Sequence, residues 1–180
     1  MIPEVLGRLA VWLMQADVGL GLAVLVGLSM SLSHLFSLVA NRLTPRQIAV
    51  QLVLDGLVLA LALLLGILFN ILMIKALTGA VVHPSELLDK LGAALIPGLF
   101  YCFVAAPYIS DLIATVIWFL IHLNVVTLLH ARLDLPYEQA LVMATPGFVV
   151  ALLLVMVLFH QGWQASYRRL ASELLPESPV

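Results

Sequence analysis

The chain is 180 residues long, 63% hydrophobic and 10% charged, with a formal net charge of −2 and a mean hydropathy of +1.15. Soluble domains carry about 25% charged residues, so water is excluded as the main solvent, and the near-balanced charge excludes nucleic acid as a partner. A single cysteine, Cys102, excludes an internal disulfide and a cysteine-built metal cage.

A bilayer core about 30 Å thick takes roughly 20 apolar residues per helix, and several such runs lie along the chain. Backbone groups in hydrocarbon pair within their own segment, and the alternating strands of a barrel are absent. The fold class is therefore all-α: a polytopic integral membrane protein of about five transmembrane helices plus short interfacial helices. Residues 1–17 read as an interfacial segment, 18–162 as the membrane domain and 163–180 as an amphipathic tail.

Residues 3–16, PEVLGRLAVWLMQA, set Glu4, Arg8, Trp12 and Gln15 on one helical face and Leu6, Leu9, Leu13 and Met14 on the other. Two readings stay open here, a helix lying in the membrane interface and an extension of the first span. No small-x-small cleavage site follows, so no cleaved signal peptide is expected. The first span is 18–40. Within it Gly19, Ala23, Gly27 and Ser31 recur every four residues, as do Gly21, Leu25, Ser29, Ser33 and Ser37. Small side chains at that spacing let helix backbones approach closely. The first set is the candidate helix-packing face, within the fold or between copies.

TPRQ at Thr44–Gln47 reads as a capping box, with Thr44 capping, Pro45 in the first helical position and Gln47 reaching back. A helix from there to Lys75 would be about 48 Å long, more than a bilayer. A surface segment bearing Gln47, Gln51 and Asp55, a bend near Gly56, and a span over 56–74 containing Asn70 are therefore expected. Pro84 and Glu86 open a short amphipathic helix that leads through Pro97-Gly98 into a third span, 91–110, either crossing or re-entrant. Ser110 caps the fourth span, 111–131. Pro136 and Glu138 open a fifth, 139–159, kinked at Thr145-Pro146-Gly147. The tail carries Trp163, Tyr167, Arg168 and Arg169 before a disordered PESPV. Five spans put Arg8, Lys75, Lys90 and Arg132 on one side and Arg42, Arg46, Arg168 and Arg169 on the other, so the positive-inside rule sets no orientation.

From about Thr44 to Phe159 the layout resembles the Yip family, the Ypt/Rab-interacting membrane proteins and their bacterial relatives. The features are the acidic short helix leading to a proline and a span in HPSELLDKLGAALIPGLFY, the run IWFLIHLNVVTLLHARLDLPYEQAL, and the proline-led last helix in VMATPGFVVALLL. The resemblance implies a five-helix bundle with little soluble mass. The small-GTPase partners of eukaryotic members are associated with a DLYGP-type motif, which this sequence lacks.

Polar residues at membrane depth are functional candidates by default. The candidate polar core is His122, Asn124, Asp111, Asp55 and Asn70. Asp111, in the first turn of its helix, gains from the helix dipole. His122 lies eleven residues in, near mid-bilayer, and shares a face with Asp111, Thr115 and Trp118, while Asn124 points the other way; the fourth span is thus expected at the centre of the bundle. Three roles are open to His122: a structural hydrogen bond, part of a proton or substrate path, or ligation of a cofactor such as chlorophyll or haem. His83 and His130 fall at one boundary, His160 at the other, and His34 about two turns from the end of the first span. No two histidines have the i, i+4 spacing of a helical metal pair, and Glu4, Glu86, Glu138, Glu173 and Glu177 all lie outside the predicted hydrocarbon. No catalytic or metal-ligating residue is expected. The sequence thus reads as a non-enzymatic membrane protein, in a bacterial inner membrane or similar, whose partners are the bilayer and other membrane proteins or copies of itself. It would act by lateral contacts as a scaffold, assembly factor or complex subunit; a small transporter or channel subunit is the alternative.

Overall fold

The structure is a computed structural model that describes residues 4, 5, 7, 8, 11, 12, 19–79, 83–105 and 108–174, with side chains to residue 159. Its elements are all helical: α1 (Gly19–Leu32), α2 (Leu35–Ala40), α3 (Pro45–Thr78), α4 (Pro84–Ala93), a 3₁₀ helix (Ile96–Ala105), α5 (Ser110–Leu133) and α6 (Tyr137–Leu174). Glu4 and Arg8, both helical and exposed, pair at 3.0 Å. Trp12, on the same face, is likewise helical and exposed; the rest of the 3–16 pattern, the tail's side chains and PESPV lie outside the described residues.

Among the described residues three helices are long and apolar enough to cross a membrane: Pro45–Thr78, Ser110–Leu133 and Tyr137–Phe159. The pair formed by α4 and the 3₁₀ helix, bent by 42°, makes a fourth candidate, and α1 is apolar but only 14 residues long. This is the make-up of a membrane-embedded helical bundle.

Three boundaries differ from those read in the sequence: the first span, the segment 91–110 and the cap of α5. The first span is broken at Ser33-His34, because the amides of Ser33 and His34 bond three residues back, to Met30 and Ser31, and the Ser33 hydroxyl also donates to the Met30 carbonyl at 2.6 Å. A hydroxyl that bonds its own backbone competes with the helix ladder. α3 is one continuous helix of 34 residues that includes Gly56, and α6 is one continuous helix that contains Pro146. The segment 91–110 is divided between α4, the 3₁₀ helix and the start of α5, with Ala94 and Leu95 at the break. Ser110 is the first residue of α5 and Ile109, with no side-chain bond, is its cap. The Thr44 capping box forms as read: Gln47 N donates to Thr44 Oγ1 at 3.4 Å and Thr44 N to Gln47 Oε1 at 2.9 Å.

Contact pairs give the register. Ser31 Oγ donates to Leu52 O at 2.8 Å and Gly27 lies against Gly56 and Ala60, so α1 and α3 are antiparallel. Gly66 lies against Ala151 and Asn70 against Gly147, so α3 and α6 are antiparallel as well. The broken segment advances with α1: Gly19 touches Asp89 and Gly92, Val26 touches Gly98, and Ser29 bonds Leu99 and Cys102. It runs on rather than doubling back. Against α5 it is antiparallel, with Glu86 beside Arg132 at 2.6 Å and Ala94 beside Asn124. The most connected element is α3, which packs on α1, α2, α4 and α6, whereas α5 packs on the 3₁₀ helix, α6 and the edge of α4. The centre of contact is therefore α3 and not the fourth span, because its small residues Gly56, Ala60, Ala62 and Gly66 admit a neighbour on each side.

Candidate functional site

The candidate packing face is internal. Gly19, Ala23, Gly27 and Ser31 are all buried, and Gly27 and Ser31 sit in the seam with α3. A Cβ at Gly27 would overlap the Gly56 carbonyl oxygen, and one at Gly19 would overlap the backbone of α4. The seam is sealed within one chain.

The candidate polar residues are distributed over the bundle and do not meet at one place. Asn124, 5% exposed, donates from Nδ2 to Ala94 O at 3.1 Å. Ala94 stands where α4 gives way to the 3₁₀ helix, and carbonyls at a helix end lack intrahelical partners. Ser29 supports the same segment from the opposite flank, its Oγ donating to Leu99 O at 2.8 Å and accepting from Cys102 N at 3.1 Å. Irregular backbone at membrane depth is tolerated only where protein or water satisfies it; Ser29 and Asn124 provide that here. Ser29 was legible as a small residue of the second stripe but not as a ligand of a backbone 70 positions away.

Asn70, 4% exposed, presses its amide against Gly147 on α6, and its Oδ1 is buried with no hydrogen-bond partner. On the neighbouring face of α6, Phe148 stacks at a tilt on His122, ring centroids 4.5 Å apart, and meets Trp118 edge-on at 5.9 Å. The Nδ1 of His122 is buried and unpartnered. Asp111 is exposed in the first turn of α5, and its carbonyl accepts from Thr115 Oγ1 at 2.7 Å.

Asp55 belongs to another group. It is partly buried on α3 and accepts from Gln51 Nε2 at 2.8 Å. His34, at the α1–α2 break, lies within electrostatic range of it and makes no hydrogen bond to it; its Nε2 is buried and unpartnered and its ring is edge-on to Phe159 at 4.4 Å. That His34 has a carboxylate within electrostatic range follows from the packing of α1 and α2 on α3 and is not visible in spacing along the chain.

Among the described residues no three His, Cys, Asp or Glu side chains come together. A cofactor metal on the unpartnered nitrogen of His122 would have to lie inside the bundle, since that nitrogen is buried. Two open clefts occur at the bundle ends. One, about 510 Å³, is lined by Leu43, Thr44, Arg46, Gln47, Val50 and Gln51; the other, about 440 Å³, lies between Leu77, Leu135, Glu138 and Met143. Neither is lined by His122 or Asn124.

Comparison with protein-family models, curated proteins and solved structures returns no match.

Proposed function

We propose that this chain is a non-enzymatic integral membrane protein that acts by lateral helix contacts, as a scaffold, assembly factor or subunit of a membrane complex. In this reading the bundle crosses the bilayer five times, with α1 plus α2 as the first pass and the broken segment as the third. The layout shared with the Yip family supports the five-pass arrangement, and a bacterial inner membrane or similar is the setting. The observation that carries the proposal is where polarity is spent. Ser29, Ser31 and Asn124 bond backbone carbonyls of the chain itself, while α6 turns Val142, Val149, Leu153, Met156 and Val157 outward. What remains for other molecules is an apolar flank.

Cross-linking in native membranes followed by recovery in mild detergent tests this. The chain should be found in a species larger than its own 19.5 kDa, and changing Leu153 and Val157 to Ser should release it. Recovery as a monomer under all conditions would sink the reading.

The buried, unpartnered atoms His34 Nε2, Asn70 Oδ1 and His122 Nδ1 favour a second reading, a small transporter or channel subunit, since pathways are lined by polar groups that need transient partners. Solute or proton flux in vesicles holding the purified chain alone would establish that role instead.

A further inference from the structure

We infer that the broken segment is a two-state helix, in which Ile96–Ala105 converts between its 3₁₀ form and an α form, with Ser29 and Asn124 as the latches that hold the 3₁₀ form. The device serves a scaffold and a transporter alike. A 3₁₀ run longer than three or four residues is uncommon, because its hydrogen bonds are poorly aligned. This one has ten residues, so contacts with other helices must stabilise it.

Its side chains follow a period of three. Gly98 and Tyr101 are buried, while Phe100 and Phe103 are exposed and stack on one another, with ring centroids 6.4 Å apart and planes inclined by 15°. Residues three apart eclipse in a 3₁₀ helix; in an α-helix they diverge by about 60°.

Both latches hold backbone groups that the α form would use differently. The Cys102 amide and the Leu99 carbonyl are the donor and acceptor that a 3₁₀ turn brings together. Ser29 Oγ engages both, accepting from the first at 3.1 Å and donating to the second at 2.8 Å. In an α-helix the same two groups would bond Gly98 O and the Phe103 amide. At Ala94 O the α partner would be the Gly98 amide, which instead donates to Leu95 O at 2.7 Å. The 3₁₀ partner would be an amide at 97, and Pro97 has none. Asn124 Nδ2 takes that place at 3.1 Å. The α form is nonetheless open to this sequence, because with Ala94 as its N-cap Pro97 falls in the first turn, where no amide bond is needed. Conversion would shorten the segment by about 0.5 Å per residue, about 5 Å in all, and turn Phe100 and Phe103 off their common face.

The single cysteine is the reporter. Labelled with ¹⁵N and ¹³C, Cys102 gives one amide and one Cα signal from the full chain in nanodiscs. In saturation-transfer NMR these signals should exchange with a minor state whose Cα shift lies in the helical range. Asn124→Leu, which acts on Ala94 rather than on Cys102, should raise the minor population about tenfold. Ser29→Ala should raise the same state, and Ser29→Thr, which keeps the hydroxyl, should leave it near the wild-type level. The proposal is overturned by a wild-type Cys102 without exchange, by a minor state with random-coil shifts, or by a Cys102 signal that Asn124→Leu leaves in place. Should the variants fail to fold, exchange in the wild-type chain decides by the first two criteria.

Discussion

Ser29 and Asn124 meet the same need from two helices, supplying partners to backbone groups that a broken segment leaves exposed inside the bundle. Leaving such an acceptor unpaired costs about 1–3 kcal/mol. Asn124→Leu should therefore lower stability by about that amount, and Ser29→Ala, which removes both a donor and an acceptor, by as much. Reversible unfolding in detergent micelles reads the difference; a neutral Asn124→Leu would show that the Ala94 carbonyl has another partner. At this scale the sequence was informative where the chemistry is local. The Thr44–Gln47 box formed because both partners lie within one turn. Asn124 was visible as a polar residue at depth, yet its partner 30 residues back depends on where α4 breaks, and packing decides that. Ser110 was misplaced as a cap for a related reason. The chain enters α5 through Tyr108, at φ 72, and Ile109, and the first helical bond from Ile113 N to Ile109 O starts the helix one residue early.

At the scale of elements, glycine position separates a hinge from a seam. The length of 45–75 called for relief near Gly56; the helix is continuous there, and the missing side chain of Gly56 admits Leu28 of α1. The same contrast occurs within α1. Gly27 abuts the backbone of Gly56 and Ala60, whereas nothing lies within 4 Å of a Cβ at Gly21. Gly27→Val should separate α1 from α3 and cost about 3 kcal/mol or more. Gly21→Ala should stabilise the helix by up to about 1 kcal/mol, the propensity difference between the two residues. Thermal unfolding of the two variants side by side checks both signs, and equal effects would mean that the α1–α3 seam is looser than described.

For the whole molecule, the antiparallel registers assign the described connections to the two ends of the bundle, which the five proposed passes would place on opposite faces of the membrane. Arg42 and Tyr108 lie on one, Gly79 and Asp134 on the other, as the antiparallel registers require. With Cys102→Ala as the background, single cysteines placed at Arg42 and Tyr108 should react with an impermeant reagent from one side of sealed vesicles, and those at Gly79 and Asp134 from the other. A cysteine at Tyr108 that labels with the Gly79 set would make 84–105 re-entrant. The all-helical, apolar make-up was legible from hydropathy alone, whereas among the described residues three helices are long enough to cross, or four with the bent pair, where five spans were expected. Which helix sits at the centre was not legible: His122 and Asn124 marked α5 by polarity, while α3 holds more neighbours through small residues that polarity does not report.

The clamp on the broken segment also bears on how the protein is made. When 84–105 leaves the ribosome, α1 is already in place and Ser29 can engage Leu99 and Cys102, but the Ala94 carbonyl has no partner until Asn124 has been synthesised and inserted. Satisfying the broken segment is thus completed only by α5, so in the interval during synthesis the Ala94 carbonyl of the 3₁₀ form must bond water or another molecule.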